Sequence, residues 1–335
     1  MRPEDRLLFA VTRQDFLGEH REAVDILARG PMRWEEVAAT AERHGVAPIA
    51  GANLKRCGLG EPVAGRFERA LFENALIKAR EAERLAEGIG RLREAGYQVM
   101  LLKGVALDLL VYREPWVVVS KDADLLLRPE PGRRLAEDER DVRRSLYRSG
   151  IECDVPRHHD VDMNGALPVR FDRIWEGARK IGFHGQEAFV MAPEDLLISL
   201  CVNSCRKRFF RLKSLFDVAE SVRRLELDWG RLAGRAREDR CERIVYAALH
   251  ATMETLGCEV PAGVLDALEV PRTRVLLIRR LVTRFLRRGS LESPPSPWLP
   301  YATYRWGQAL RSLRVALTWE PPAHRRALGA PAGQA

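Results

Sequence analysis

The stretch "WVVVSKDADLLLRPE" (Trp116–Glu130) sets two carboxylates, Asp122 and Asp124, between two apolar runs. Its β-branched and apolar residues, ended by Pro129, read as a buried strand. Side chains alternate along a strand, so residues two apart share a face. Asp122 and Asp124 therefore point the same way. Neighbouring carboxylates repel and raise each other's pKa unless a cation lies between them. Magnesium is the natural cation, a hard ion that keeps few protein carboxylates and fills its remaining positions with water and substrate phosphates. The pair thus predicts a phosphate-bearing substrate. D-x-D alone is a weak signal, so its surroundings decide.

Upstream, "YQVMLLKG" (Tyr97–Gly104) reads as a short buried strand ending in a glycine, and "VALDLLVY" as one or two helical turns. Gly104 would let the backbone approach a ligand closely. Free amides at the start of the following helix suit phosphate oxygens, and Lys103 adds positive charge. Downstream, "IECDVPRHHDVDMN" (Ile151–Asn164) and "GFHGQEAFVM" (Gly182–Met191) read as further short strands. The first carries Asp160 and Asp162, again two apart. One of them would supply the third acid of a two-metal site, a metal ligand that helps deprotonate an attacking hydroxyl; otherwise they dress an exposed edge. The polar segment "RRLAEDERDVRRSLYRSG" (Arg133–Gly150) is spaced for a helix. Strands alternating with helices imply an α/β (α+β) core with a small mixed sheet over residues 93–191.

Helical regions flank this core, over residues 1–92 and 192–288. In "MRWEEVAATAERHG", Trp34, Val37, Ala38 and Ala41 form one apolar helix face, and in "DWGRLAGRARE" Trp229, Leu232, Ala233 and Ala236 repeat it. A long amphipathic run stops at Gly96. "APEDLLISLCVNSCRKRFFRLKSLFDVAESVRRLEL" opens on Pro-Glu-Asp, which suits a helix N-terminus. Residues 289–335 read as a Pro-rich loop, a terminal helix and a disordered tail.

The formal charge of +8 favours polyanionic partners such as a nucleotide or RNA, or simply reflects an arginine-rich composition. "RKRFFRLK" (Arg206–Lys213) would offer charge and stacking surface to RNA or an acceptor. The plainer reading is a helix with Phe209, Phe210 and Leu212 packed and the cations solvated. "RTRVLLIRRLVTRFLRR" (Arg272–Arg288) likewise reads first as an amphipathic packing helix. Six scattered cysteines suggest buried thiols rather than a disulfide framework. The N-terminus is a poor signal peptide, and no apolar run is long enough to span a bilayer. The expectation is a cytoplasmic protein.

The ordered set "LLKG", Tyr112 and Pro115, "DADLLL" and "HHDVD" resembles the uncharacterised nucleotidyltransferase family of the DNA polymerase beta-like superfamily. "IWEGA" (Ile174–Ala178), "APEDLLISL", "RLKSLFDVAE" and "LDWGRLAGRA" support the likeness, which runs from about Trp34 to Pro261. The resemblance implies that Asp122 and Asp124 hold Mg²⁺, two ions in all, with Mn²⁺ as a substitute. It implies that Asp160 is the third acid, with Asp162 as the alternative. Lys103 and Gly104 would border the triphosphate of an NTP, ATP first. Asp217 matches a helical acid of the family. Two positions depart from the pattern: Val105 follows Gly104, and Val118 stands where relatives often carry an arginine, which leaves Lys121 as the nearby cation. The implied activity is Mg²⁺-dependent transfer of a nucleoside monophosphate to a hydroxyl of a protein, RNA or small molecule, releasing pyrophosphate. A catalytically weakened nucleotide-binding or regulatory module is the second reading. A metal-dependent glycosyltransferase, which also uses D-x-D, is a third that the helical N-terminal region disfavours.

Overall fold

The computed structural model describes residues 1–119, 123–131, 146, 151–154, 159–163, 165–209, 211–292 and 302–303. Helices α1 (Pro3–Val11), α2 (Gly18–Ala28), α3 (Trp34–Arg43) and α4 (Ala47–Arg56) lead into the long α5 (Ala64–Glu94). The core follows: β1 (Tyr97–Leu101), α6 (Lys103–Leu110), β2 (Ala123–Pro129), β3 (Ile151–Asp154), the short α7 (His159–Asp162) and α8 (Phe171–Glu176), then β4 (Arg179–Phe183) and β5 (Gln186–Val190). Helices α9 (Pro193–Arg206), α10 (Leu212–Arg224), α11 (Trp229–Glu238), α12 (Glu242–Leu256), α13 (Val264–Ala267) and α14 (Arg272–Arg288) complete the described chain. The fold is the expected mixed sheet with helices on either side of it in sequence.

The sheet order is β3-β2-β1-β5-β4. β1 is antiparallel to β2 and parallel to β5, and β2 is parallel to β3. Alternation puts Asp124, Leu126 and Arg128 on one face of β2 and Ala123, Leu125 and Leu127 on the other. Arg128 confirms the assignment, donating to Gln98 of β1, its register partner, at 2.6 Å. Arg128 also lies over the Trp175 ring of α8, 4.5 Å from its centroid. The Ala123 side rests on α5, which presents Leu85, Ile89 and Leu92. Gly88 of α5 is needed for that approach, because a Cβ there would stand 2.9 Å from Leu146 and 3.1 Å from Ile151.

The two matched apolar stripes pack alike. Val37, Ala38 and Ala41 of α3 are buried, as are Leu232, Ala233 and Ala236 of α11, while both tryptophans are half-buried. The flanking helical regions also touch each other: Gln14 donates to Glu220 of α10 at 2.8 Å inside the protein. Asp195 of α9 joins Arg235 of α11, and Arg173 of α8 joins Asp239 at 2.6 Å, tying the sheet's cover to the C-terminal helices.

Several elements differ from the sequence expectation. "GFHGQEAFVM" is not one strand but the turn and second arm of a hairpin, with His184 and Gly185 both at positive φ at the bend. "IECDVPRHHDVDMN" is a strand only over Ile151–Asp154; Asp160 and Asp162 fall in the helical turn α7. "RKRFFRLK" is not a continuous helix. It breaks between α9 and α10, where Arg208 and Phe209 hold φ of 57° and 53°. Phe209 and Leu212 are buried as expected, and Phe210 lies outside the described residues. So does nearly all of Arg133–Gly150, apart from the buried Leu146. Cys201, Cys205, Cys241 and Cys258 are buried free thiols. No helix among the described residues is long and apolar enough to cross a membrane.

Candidate active site

β1 ends at Leu101, and the chain turns at once into α6. Leu102 donates its amide to the carbonyl of Asp124 at 3.0 Å, which extends the β1–β2 pairing by one step. This contact brings the Lys-Gly pair beside the carboxylate strand. Lys103 takes a left-handed φ of 42°. That conformation costs a residue with a Cβ about 1 kcal/mol or more. It carries the ammonium to within 3.0 Å of Asp124 Oδ2. Asp124 is 9% exposed. A carboxylate so far out of water needs a positive partner, and Lys103 supplies one. Gly104 follows, buried, in the first turn of α6.

Asp122 and Lys121 lie outside the described residues. The described chain resumes at Ala123, whose side chain faces away from Asp124. Asp160 is placed in α7, but its side chain lies outside the description. Asp162 is buried and serves its own turn: Oδ1 accepts the Gly165 amide at 2.9 Å, just past Met163 at φ 52°. On a strand the two acids would share a face. On a helix, residues two apart point about 200° apart. The expected second strand pair is therefore corrected: Asp160 and Asp162 do not form one.

The register shows an acid that the sequence reading passed over. Glu152 of β3 pairs directly with Asp124 of β2. The register thus sets the backbone of Glu152 level with that of Asp124. The sequence signal was an acid inside the apolar-bounded "IECD". Its value depends on a strand register that no single sequence reveals.

Val118, expected to be a departure at the site, is a core residue with no exposure. Its carbonyl and that of Trp116 accept both bonds of the Asn74 amide, at 3.0 and 2.7 Å. Val119 then donates to Gly45 at 3.0 Å, fixing the approach to the carboxylate strand. Val105 is partly buried and lines a cavity of about 290 Å³ with Lys78, Asp108, Trp116, Ala123 and Phe183. Lys78 and Asp108 pair beside this cavity. Burial pushes the Asp108 carboxyl up against the opposing pull of Lys78.

Behind α6, Tyr112 donates to Asp217 of α10, and Lys213 donates to the same carboxylate at 2.8 Å. Burial, then the Asp217 charge, pushes the Tyr112 hydroxyl far above its ordinary range. Asp217 is thus a structural acid that locks α10 against the helix carrying Lys103 and Gly104. Among the described residues no three acidic, histidine or cysteine side chains form a metal cluster; the side chains of Asp122, Glu152 and Asp160 are outside that set.

The model of a family described as "Uncharacterised nucleotidyltransferase" matches residues 30–257. The chain belongs to that family. The match covers the whole sheet and extends through α3–α5 on one side and α9–α12 on the other. Neither curated proteins nor solved structures give a match.

Proposed function

We propose that this nucleotidyltransferase-family chain moves a nucleoside monophosphate from an NTP, ATP first, to an acceptor hydroxyl. The observation that carries the reading is the Lys103–Asp124 contact at 3.0 Å, which joins the Gly-turn to the carboxylate strand. Asp124 fits a hard cation, being a buried carboxylate beside a flexible ammonium able to turn toward a phosphate. Asp122, Asp124 and an acid from β3 or α7 would hold Mg²⁺, or Mn²⁺, which when bound would neutralise charge on the transferring phosphoryl group. Lys103 then swings from Asp124 to a phosphate oxygen. Gly104 and the first amides of α6 border the polyphosphate without side-chain obstruction. The acceptor oxygen attacks the α-phosphorus in line, its proton passes to the third carboxylate, and the bond to the β-phosphate oxygen breaks to free pyrophosphate. Glu152 is the first candidate for that carboxylate by register, with Asp160 as the expectation from resemblance.

Incubation with α-labelled NTP, Mg²⁺ and a cell extract tests the reading. Label should move to an acceptor with wild-type protein and not with Asp124→Asn. Transfer that persists in Asp124→Asn would remove the mechanism.

A further inference from the structure

The helix α14 carries seven arginines and no acid, nearly the whole of the chain's formal charge of +8. Elsewhere arginines such as Arg2, Arg66, Arg173 and Arg235 meet carboxylates. Among the described residues, Arg272, Arg274, Arg280, Arg284 and Arg287 of α14 have no carboxylate partner. The helix already uses its apolar side: Ile278 and Val282 are buried. Arg280, Arg284 and Arg287, at i, i+4 and i+7, form one exposed ridge on the opposite side, about 10 Å long at 1.5 Å per residue. Like charges along one ridge repel, so the ridge destabilises the free protein slightly unless an anion covers it.

The chain just past α14 is tied to segments that border the candidate active site. Just past α14, the Leu291 carbonyl meets His44 Nε2 at 2.7 Å. His44 Nδ1 accepts the Leu212 amide at 3.1 Å, and the His44 carbonyl accepts the Lys213 amide at 3.3 Å. The next residue, Gly45, binds Val119 on the approach to the carboxylate strand, and it lies under Arg211 and Lys213. The buried His44 therefore gathers three segments at one corner: the end of the arginine helix, the basic break Arg206–Arg211, and the entry to β2. In that break Lys207 and Arg208 are exposed, and neither has a carboxylate partner among the described residues.

We infer that the acceptor is a single-stranded nucleic acid whose phosphodiester backbone lies along α14 and passes the Lys207–Lys213 segment toward the carboxylates. The identification of the strand as acceptor rests on the reaction proposed above; the binding surface does not. Among the described residues, arginines without a carboxylate partner run from Arg272 to Arg287, about 22 Å of helix at 1.5 Å per residue, which suits a repeating polyanion better than a single triphosphate. A lipid surface is the poorer fit, because Ile278 and Val282 of α14 are packed inward and only Leu276 and Leu277 stand exposed among its large apolar residues, too few for the continuous apolar face that a membrane-surface helix turns outward.

The test is fluorescence anisotropy of a labelled single-stranded oligonucleotide, as RNA and as DNA, against salt. Wild-type protein should bind with a log–log salt slope near −0.7 for each phosphate contacted. Arg280→Glu/Arg284→Glu/Arg287→Glu should weaken binding about tenfold or more and flatten the slope. The milder Arg280→Gln/Arg284→Gln, with an unchanged circular dichroism spectrum, should lose part of the affinity. Unchanged affinity in both variants would overturn the inference, as would co-sedimentation with phosphatidylglycerol vesicles without oligonucleotide binding. Two controls separate this from the reaction: Asp124→Asn should bind the strand normally, and the triple arginine variant should bind NTP normally by calorimetry. Strand binding through α14 by a protein that transfers no label would break the reaction and keep the surface.

Discussion

Asp124 and Asp162 each close an Asp-x-Asp triplet, and both side chains are nearly out of water. One sits on a strand beside a lysine from a different element, and the other binds an amide three residues further along its own turn. The two differ in backbone, not in spacing. On β2 Asp124 lies in a strand that pairs with both β1 and β3. In α7 the same spacing falls on helical backbone, and the Asp162 carboxylate accepts the Gly165 amide of its own turn. A carboxylate whose partner comes from another element can exchange that partner for a substrate group. One that accepts an amide of its own turn contributes to the local fold.

The largest effect should come from breaking the first member. Asp124→Asn keeps the size of the side chain and removes the charge that would hold a cation and balance Lys103. Label transfer should fall about 10³-fold or more, some 4 kcal/mol of transition-state stabilisation. Chelation of divalent ions should stop transfer by the wild-type protein, and restored Mg²⁺ should recover it. Transfer that continues after chelation would end the comparison, because Asp124 would then have no special task.

Next is the choice of third acid. If register decides, Glu152→Gln should lower the rate about 10²-fold while Asp160→Asn leaves it nearly unchanged, the size typical of losing one general base. The opposite result would mean that α7, not β3, completes the site. Parallel rate measurements on the two variants distinguish these outcomes directly.

Lys103→Met should act more weakly. It removes one charge from the phosphates and leaves Asp124 without its ammonium. KM for NTP should rise about tenfold, roughly 1.4 kcal/mol of binding. A fall in kcat with unchanged KM would show that Lys103 acts on the transition state instead.

How far the sequence foresaw this arrangement follows from the range of each signal. The Gly104 turn, the strand leading into it and the apolar faces of α3 and α11 depend on residues a few positions apart, and they were legible. So was the pairing of the Lys-Gly turn with "DADLLL", since the family resemblance ties the two motifs together. What could not be read was register and local backbone. Glu152 is a candidate because β3 lies parallel to β2 with those two residues level, a fact about two segments separated by a long stretch of chain. The helical state of His159–Asp162 was missed because "HHDVD" alternates like a strand over too few residues to separate the two periods. The break at Arg208 and Phe209 was missed for a different reason: two ordinary side chains occupy a left-handed region where glycine would have given warning. Val118 looked like a lost arginine and is a core valine. The cations near that corner come instead from α10 and its preceding turn, far away in sequence.

The smallest effect tests the second member. Asp162→Ala removes the acceptor of the Gly165 amide and should cost about 1–2 kcal/mol of folding stability, seen as a lower denaturation midpoint in urea. Transfer per folded molecule should remain at the wild-type level, because the lost bond lies within its own turn and holds no substrate. Asp162→Asn, which keeps a carbonyl oxygen to accept the same amide, should recover much of the stability. If both variants instead lose transfer while keeping the urea midpoint, Asp162 belongs with Asp124, and the contrast between the two triplets fails on the side of α7.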